Sequence, residues 1–387
     1  MRFFFISTMH SSLWGGSEEL WSQAATRLKR AGDDVRASVV YWPHLSEKVT
    51  RLTQDGICLD THSSFNAGQV RRIWNKISLS QRRNQQRLQS CKPDLVIISQ
   101  GHNSGGFEWA ELCRKAAIPY VFIVNCNSEH WWFRELVDEA IASYTAARRI
   151  FCVSSSNLDL LRRQLGEPLK NAEVVRNPFN ASTACPPPWP DETGAWQLAS
   201  VARIEIAAKG QDLLLETLAR PEWRSRPVEL NMYGSGPDES ALRRMAGMLQ
   251  LDKVHFHGHV PDIGAVWTQN HLLVLPSRYE GLPLALVESM WCGRPAVVTD
   301  VGGNAELCVD GETGFVAPAA KSSAFAGAMQ QAWDRRMDWQ RMGQNARIRV
   351  EELIPKDPVA LFCERLKSCA AAAHGVDPIG QVMFDRR

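Results

Sequence analysis

The stretch PSRYEGLPLALVESMWCGRPAVVTDVGGNAE, residues 276–306, decides the fold. In front of it, residues 271–275 (HLLVL) form a short apolar run that stops at Pro276, the pattern of a buried parallel strand bounded by a breaker. Residues 277–282 read as a loop, and Pro283 stands where a helix starts. Leu284, Leu286, Val287, Met290 and Trp291 give that helix an apolar face, and Gly293 ends it. Residues 296–299 (AVVT) make a second buried strand, and Gly302-Gly303 opens another turn. The unit is strand, loop, helix, strand, with its charge concentrated in the loop.

Two carboxylates stand out. Glu280 lies in the loop at the carboxyl end of a strand, and Glu288 follows eight residues on, about two turns at ~3.6 residues per turn. That spacing predicts one helix face carrying both toward the same crevice. A solvated helix face shows the same spacing, so the pair alone decides nothing. The surroundings add more. In an open parallel sheet, ligands sit at the carboxyl ends of strands. The amides of Gly281, Leu282 and Leu284 gather at a helix start, where free N–H groups and the dipole favour a phosphate. Phosphate on those amides and hydroxyls on the two carboxylates would together read a nucleotide sugar.

This stretch resembles the retaining GT-B glycosyltransferases of family 4, also called glycosyl transferases group 1. Their mark is a Glu, seven residues and a second Glu inside a run like EGLPLALVES, here Glu280 to Glu288, followed by Gly293, Pro295 and Gly302-Gly303. Similar pieces occur at residues 201–215, 233–237 and 177–178, and the likeness is weakest between Ser46 and Cys91. The resemblance implies an α/β chain with two Rossmann-like doubly wound domains facing across a cleft. It implies an N-terminal acceptor domain over residues 1–180, a linker over 181–196 and a nucleotide-sugar donor domain over 197–355. A last helix over 356–373 crosses back to the first domain. The implied reaction moves a sugar from a nucleotide diphosphate sugar to a glycan, lipid-linked or small-molecule acceptor, with retention at the anomeric carbon. Its setting is cell-surface polysaccharide or glycoconjugate synthesis. An epimerase or phosphorylase on the same fold, or a non-catalytic nucleotide-sugar-binding subunit, is the alternative, since a fold does not fix a function.

Composition is compatible with this. A length of 387 residues fits two ordinary domains, and 44% hydrophobic with 22% charged residues is usual for a soluble globular protein. A net charge of +2 gives no strong attraction to nucleic acid, and none is expected as a partner. Ten scattered cysteines without a C-x-x-C pair read as free thiols in a reducing cytoplasm. The opening RFFFI is too short for a signal peptide and reads as the first buried strand. No apolar run approaches the ~20 residues of a membrane span.

The first domain begins with a strand over residues 3–7, a turn holding Trp14, Gly15 and Gly16, and Ser17 as the expected N-cap of a helix over 18–30. The turn lacks G-x-G-x-x-G, so an NAD site is not expected. The resemblance implies that Gly16 lines the cleft, letting backbone approach the donor phosphate or the acceptor. Residues 61–93 contain no acidic residue but carry Arg71, Arg72, Lys76, Arg82, Arg83, Arg87 and Lys92 among apolar residues. They read either as a basic amphipathic helix on an anionic membrane surface or as an ordinary outer helix. The first reading places the protein in the cytoplasm with peripheral contact at the inner face of the membrane.

Strands follow at residues 95–99 and 120–124. In many relatives the second of these ends in a His facing the reacting sugar. The position here is Asn125, which hydrogen-bonds but takes up no proton near neutral pH. His130 and His102 are candidate replacements. Trp131, Trp132 and Phe133 read as an apolar lip suited to sugar stacking, membrane contact or plain core packing.

In the second domain, a strand over residues 198–201 leads into a loop with Arg203 and Lys209-Gly210. The resemblance puts both cations on the donor diphosphate. There they offset charge on the leaving oxygen without a metal. It also implies Glu280 on the transferred sugar, Glu288 on the ribose, and Gly234 and Val260 lining the donor, with the base near Val260. No cofactor is expected beyond the nucleotide sugar as co-substrate. His255, His257 and His259 alternate along a strand, but a metal site is not expected. Residues 324–350 read as one helix and 359–373 as the last.

Overall fold

The computed structural model describes residues 1–10, 14–44, 46–62, 74–181, 186–191 and 194–371, with side chains of 74–81 excepted. The chain divides into two compact units. The first takes Met1–Val153, Leu158–Asn177 and the chain from Asp357. The second takes Ser154–Asn157 and Pro178–Lys356.

The first unit alternates strands and helices: β1 (Arg2–Ser7), α1 (Glu19–Arg30), β2 (Asp34–Val40), α2 (Glu47–Gln54), β3 (Cys58–His62), α3 (Trp74–Cys91), β4 (Leu95–Gln100), α4 (Phe107–Lys115), β5 (Tyr120–Val124), α5 (Val137–Thr145), β6 (Arg149–Cys152), α6 (Ser155–Leu165) and β7 (Ala172–Val174). The sheet runs β3-β2-β1-β4-β5-β6-β7, with every pairing parallel. Such strands are buried on both faces, which is why RFFFIS, LVIISQ and YVFIV are almost unbroken apolar runs. Order reverses between β1 and β4, so loops leaving these two strands diverge and open a crevice at their carboxyl ends.

A 3-10 turn over Gly16–Glu18 precedes α1, so Ser17 is not its N-cap. The cause is Glu18, drawn under the turn to accept from Ser7 Oγ at 2.7 Å and from Trp21 Nε1 at 2.9 Å. The basic stretch lies on α3 from Trp74 on, while Val70, Arg71, Arg72 and Ile73 fall outside the described residues.

The second unit contains β8 (Trp196–Val201), α7 (Ile206–Lys209), α8 (Gln211–Leu218), α9 (Pro221–Arg224), β9 (Val228–Tyr233), α10 (Glu239–Met248), β10 (Val254–Gly258), α11 (Ile263–Gln269), β11 (Leu272–Leu275), α12 (Leu284–Trp291), β12 (Ala296–Thr299), α13 (Asn304–Leu307), β13 (Gly314–Ala317), α14 (Ser322–Asp334) and α15 (Trp339–Leu353). Its sheet, β10-β9-β8-β11-β12-β13, is again wholly parallel, with the reversal between β8 and β11. The expected single helix over 324–350 is two helices. A turn at Arg336–Asp338 separates them and lets Trp339 enter the core, where its Nε1 donates to Ala332 O at 2.9 Å. After Asp357 the chain belongs again to the first unit, where α16 (Pro358–Ala371) buries Val359, Phe362 and Leu366 in the core shared with α1. Among the described residues, no helix is long and apolar enough to cross a membrane.

Candidate functional site

In the second unit the two loops flanking the reversal hold the predicted charges. The loop after β8 is not open coil, as expected from sequence, but winds into the one-turn helix α7. Asp238 Oδ2 receives Ile206 N at 2.8 Å, and Ile204 and Ala208 are buried beneath. Gly210 then turns at φ +63°, and a Cβ there would fall 2.1 Å from Pro276 O. Only glycine lets this loop lie against the loop after β11. The contact is tightened by Arg278, whose amide donates to Ala208 O at 2.8 Å. Its guanidinium grips Asp212 through two bonds of 2.7 Å and reaches Ile206 O at 2.8 Å. Gln211 Nε2 donates to Arg203 O at 2.9 Å.

This scaffold sets Lys209 Nζ 2.6 Å from Glu280 Oε1, and Ser277 Oγ donates to the same oxygen at 2.8 Å. Glu280 is buried, while Lys209 keeps a fifth of its side chain in solvent, 22%. A charge pair in reduced dielectric is held firmly in place. Arg203 forms an ion pair with Glu205. Gly302 closes the far wall at φ +53°, since a Cβ there would meet Glu280 O at 2.2 Å. Helix α12 starts after Pro283, and among the described residues no hydrogen bond occupies the amides of Gly281, Leu282 and Leu284. Gly234 lies in the turn after β9 and Val260, half-buried, just beyond β10.

The two glutamates do not share a helix face. Glu280 precedes the N-cap by three residues and turns to Lys209. Glu288, buried on α12, accepts from Asn180 N at 3.0 Å, next to Phe179 stacked on Trp291 at 5.2 Å. The carboxylates therefore have separate partners. Two of the alternating histidines have partners. His255 pairs with Glu229 at 3.5 Å, and His257 bonds Asn231 at 2.8 Å and stacks on Tyr233 at 4.6 Å. Among the described residues no cluster could hold a metal ion.

In the first unit, Asn125 ends β5 and is buried. Its Nδ2 donates to Ser99 Oγ at 3.0 Å and Gln100 O at 3.2 Å, and among the described residues its Oδ1 has no partner. His102 bonds Ser104 and lies 4.2 Å from the Trp131 ring. Burial, helped by nearby His10, lowers its pKa to about 4. His130 is exposed on a turn, and Gly16 is exposed at the start of the 3-10 turn.

Profiles of two families match the chain, Glycosyltransferase Family 4 over residues 14–183 and Glycosyl transferases group 1 over residues 196–335. The chain belongs to the family 4 glycosyltransferases. It is similar to the D-rhamnosyltransferase WbpZ of Pseudomonas aeruginosa, at 33% identity over 150 residues, 38% of each chain. The alpha-D-kanosaminyltransferase of Streptomyces kanamyceticus matches at 34% over 149 residues, again 38% of each. These matches thus span 38% of either relative's own length. Among solved structures, Alr3699/HepE of Anabaena in complex with UDP aligns with a TM-score of 0.74 at 17% identity, over 96% of this chain and 100% of that one. Sucrose-phosphate synthase of Thermosynechococcus elongatus aligns at 0.71 and 17%, over 96% and 100%. At such identity the likeness establishes the fold, and the fold is GT-B.

Three features of this family 4 chain escaped the sequence. Glu18 is fully buried, and desolvation raises its pKa to about 7 against the hydrogen bonds from Ser7 and Trp21. A carboxylate three residues before Trp21, on the buried stripe of α1, was the available signal. The Arg278–Asp212 clamp joins positions 66 apart and Glu288–Asn180 positions 108 apart, with no local signature.

Proposed function

We propose that this chain transfers a sugar from a nucleotide diphosphate sugar to an acceptor hydroxyl, with retention at the anomeric carbon and without a metal. The observation that carries the reading is Lys209 set against Glu280 at the reversal between β8 and β11, beside the free amides that open α12. Lys209 and Arg203 hold the diphosphate, and the amides of Gly281, Leu282 and Leu284 take its outer oxygens. With Lys209 moved onto phosphate, Glu280 accepts from hydroxyls of the sugar being transferred. Glu288 takes the ribose hydroxyls, and Gly234 and Val260 flank the nucleotide. In the first unit, Asn125 accepts from a substrate hydroxyl through Oδ1, Gly16 brings backbone N–H toward the substrate, and His130 is free to bond the acceptor.

The glycosidic bond to the phosphate oxygen breaks, and both electrons leave with the nucleoside diphosphate. The acceptor oxygen bonds to the anomeric carbon on the same face, and its proton passes to the departing phosphate oxygen. Cations fixed beside that oxygen stabilise the charge where it develops. UDP, named in the Anabaena complex, is the first nucleotide to try. The acceptor is a glycan or lipid-linked saccharide in polysaccharide or glycoconjugate synthesis. The cytoplasm is the proposed location, with α3 resting on an anionic inner membrane face. The test is a thermal-shift series with nucleoside diphosphates, followed by assay of the matching nucleotide sugars. One diphosphate should raise the midpoint by mass action, and its sugar should be consumed. A chain that binds none of them contradicts the reading.

A further inference from the structure

The loop that leaves β5 is braced from three directions. Asn127 Nδ2 donates to Gln164 Oε1 at 2.8 Å, while Asn127 Oδ1 receives Ser128 N and Asn103 Nδ2, each at 2.8 Å. Gln164 Nε2 donates to Ser128 O at 2.8 Å and Trp131 O at 3.2 Å, and Asn103 Nδ2 reaches Trp131 O at 3.0 Å. Asn103, Asn127 and Gln164 are all buried, so these bonds are shielded from competing water. They fix the backbone of residues 127–131.

On this frame stands Trp132, 57% exposed. Its Nε1 donates to Glu129 O at 2.8 Å, which orients the ring while leaving its face in solvent. Trp131 beside it rests against His102. A ring held face-out in this way offers a fixed apolar surface that a ligand can cover. A rigid aromatic also binds with little loss of side-chain entropy.

The neighbouring chemistry selects what covers it. Residues 129–139 carry Glu129, Glu135, Asp138 and Glu139 against Arg134 alone. That balance repels phosphate and an anionic bilayer. His102, with its pKa near 4, is a neutral ring at physiological pH, one nitrogen donating and the other accepting. His130 adds a second imidazole on the exposed turn. An exposed aromatic face on a stretch rich in carboxylate acceptors fits a ligand with C–H bonds on its face and donating hydroxyls at its rim.

We propose that Trp132, next in the chain to the Trp131 that rests against His102, is a platform for a neutral sugar ring of the acceptor. The acceptor is then recognised through a saccharide at its reacting end and not through a phosphate. The inference rests on the glycosyl-transfer reading, and its test keeps the two apart.

The full-length chain and its Trp132→Ala and Trp132→Phe variants are titrated with neutral methyl glycosides and disaccharides, by tryptophan fluorescence and saturation-transfer NMR. Inorganic phosphate and phosphatidylglycerol vesicles serve as comparators, and the UDP-induced midpoint shift is measured in parallel. At least one neutral glycoside should bind saturably, about tenfold more weakly to Trp132→Ala and almost normally to Trp132→Phe. Phosphate and vesicles should not distinguish the variants, and the UDP shift should be unchanged. Three results overturn the platform: no glycoside bound, equal binding by wild type and Trp132→Ala, or vesicle binding that depends on Trp132. Absence of a UDP shift together with Trp132-dependent glycoside binding would instead count against the choice of donor nucleotide.

Discussion

At the carboxyl edge of the second sheet, Lys209 meets Glu280 at 2.6 Å and Arg278 clamps Asp212 at 2.7 Å. At the carboxyl edge of the first, Asn103, Asn125, Asn127 and Gln164 bond to one another, to Ser99 and to backbone. Among the described residues no charged side chain joins them. Both edges sit beside a β-sheet order reversal, and both are built from loops that follow buried parallel strands. The same architecture therefore carries fixed charge in one unit and neutral hydrogen-bonding capacity in the other. A diphosphate needs the first kind of surface and hydroxyls are served by the second.

The largest break in this comparison should come from Lys209→Ala. Removing a fixed donor from the site of developing charge lowers turnover ~10²–10³-fold. No change in steady-state turnover would mean the charged edge is not where the leaving group sits.

Next in size, Glu280→Gln and Glu288→Gln should separate two functions within that edge. A charge-assisted hydrogen bond contributes ~1.5–3 kcal/mol, or about tenfold to a hundredfold in rate or affinity. Glu280→Gln should lose turnover, because its contacts tighten as positive charge develops on the sugar. Glu288→Gln should raise the donor KM with little change in kcat, because the ribose is remote from the bond that breaks. Kinetics with donor varied read this directly, and the opposite partition would reverse the placement of the donor.

Glu18 sharpens the comparison as a buried carboxylate of the first unit, beside the loop that follows β1. Its pKa rises from the ordinary 4.5 to about 7. Between these values the unfolded chain ionises while the folded chain keeps the proton. Stability therefore falls from pH 4.5 upward and levels off above 7. The shift corresponds to about 3 kcal/mol. Glu18→Gln should remove this decline, so that the difference in midpoint between variant and wild type grows across that window. A constant difference would show that Glu18 ionises normally.

The smallest effect concerns the outer surface. If the basic stretch on α3 meets an anionic membrane, vesicle flotation should find weak binding at low salt that fades as ionic strength rises. Flotation that finds none at low salt ends that part of the proposal.

How much of this was legible in the sequence differs between the edges. At the charged edge the strand, loop and helix were legible because Glu280, Gly281, Pro283 and Glu288 occur in one run, but the expectation that one helix face carries both glutamates was wrong. Even there, the turn of Glu280 toward Lys209 was hidden, since the partner is 71 residues away. At the neutral edge the sequence offered only Asn125 and an expected aromatic lip, of which Phe133 is instead buried in the core. The bracing of this edge joins positions 24, 37 and 61 apart, and amides carry no periodic signal. The two helices over 322–353 looked continuous because nothing between Asp334 and Trp339 is a strong helix breaker. Burial of Trp339, a tertiary effect, breaks them.

The central claim is that fixed cations, Lys209 foremost, take the part a metal would play for the diphosphate. Calorimetric titration with UDP in a chelator, for wild type and Lys209→Ala, tests it most directly. The account predicts wild-type affinity unchanged by the chelator and weakened about tenfold to a hundredfold by Lys209→Ala. Wild-type binding that vanishes in the chelator and returns with Mn²⁺ would contradict it.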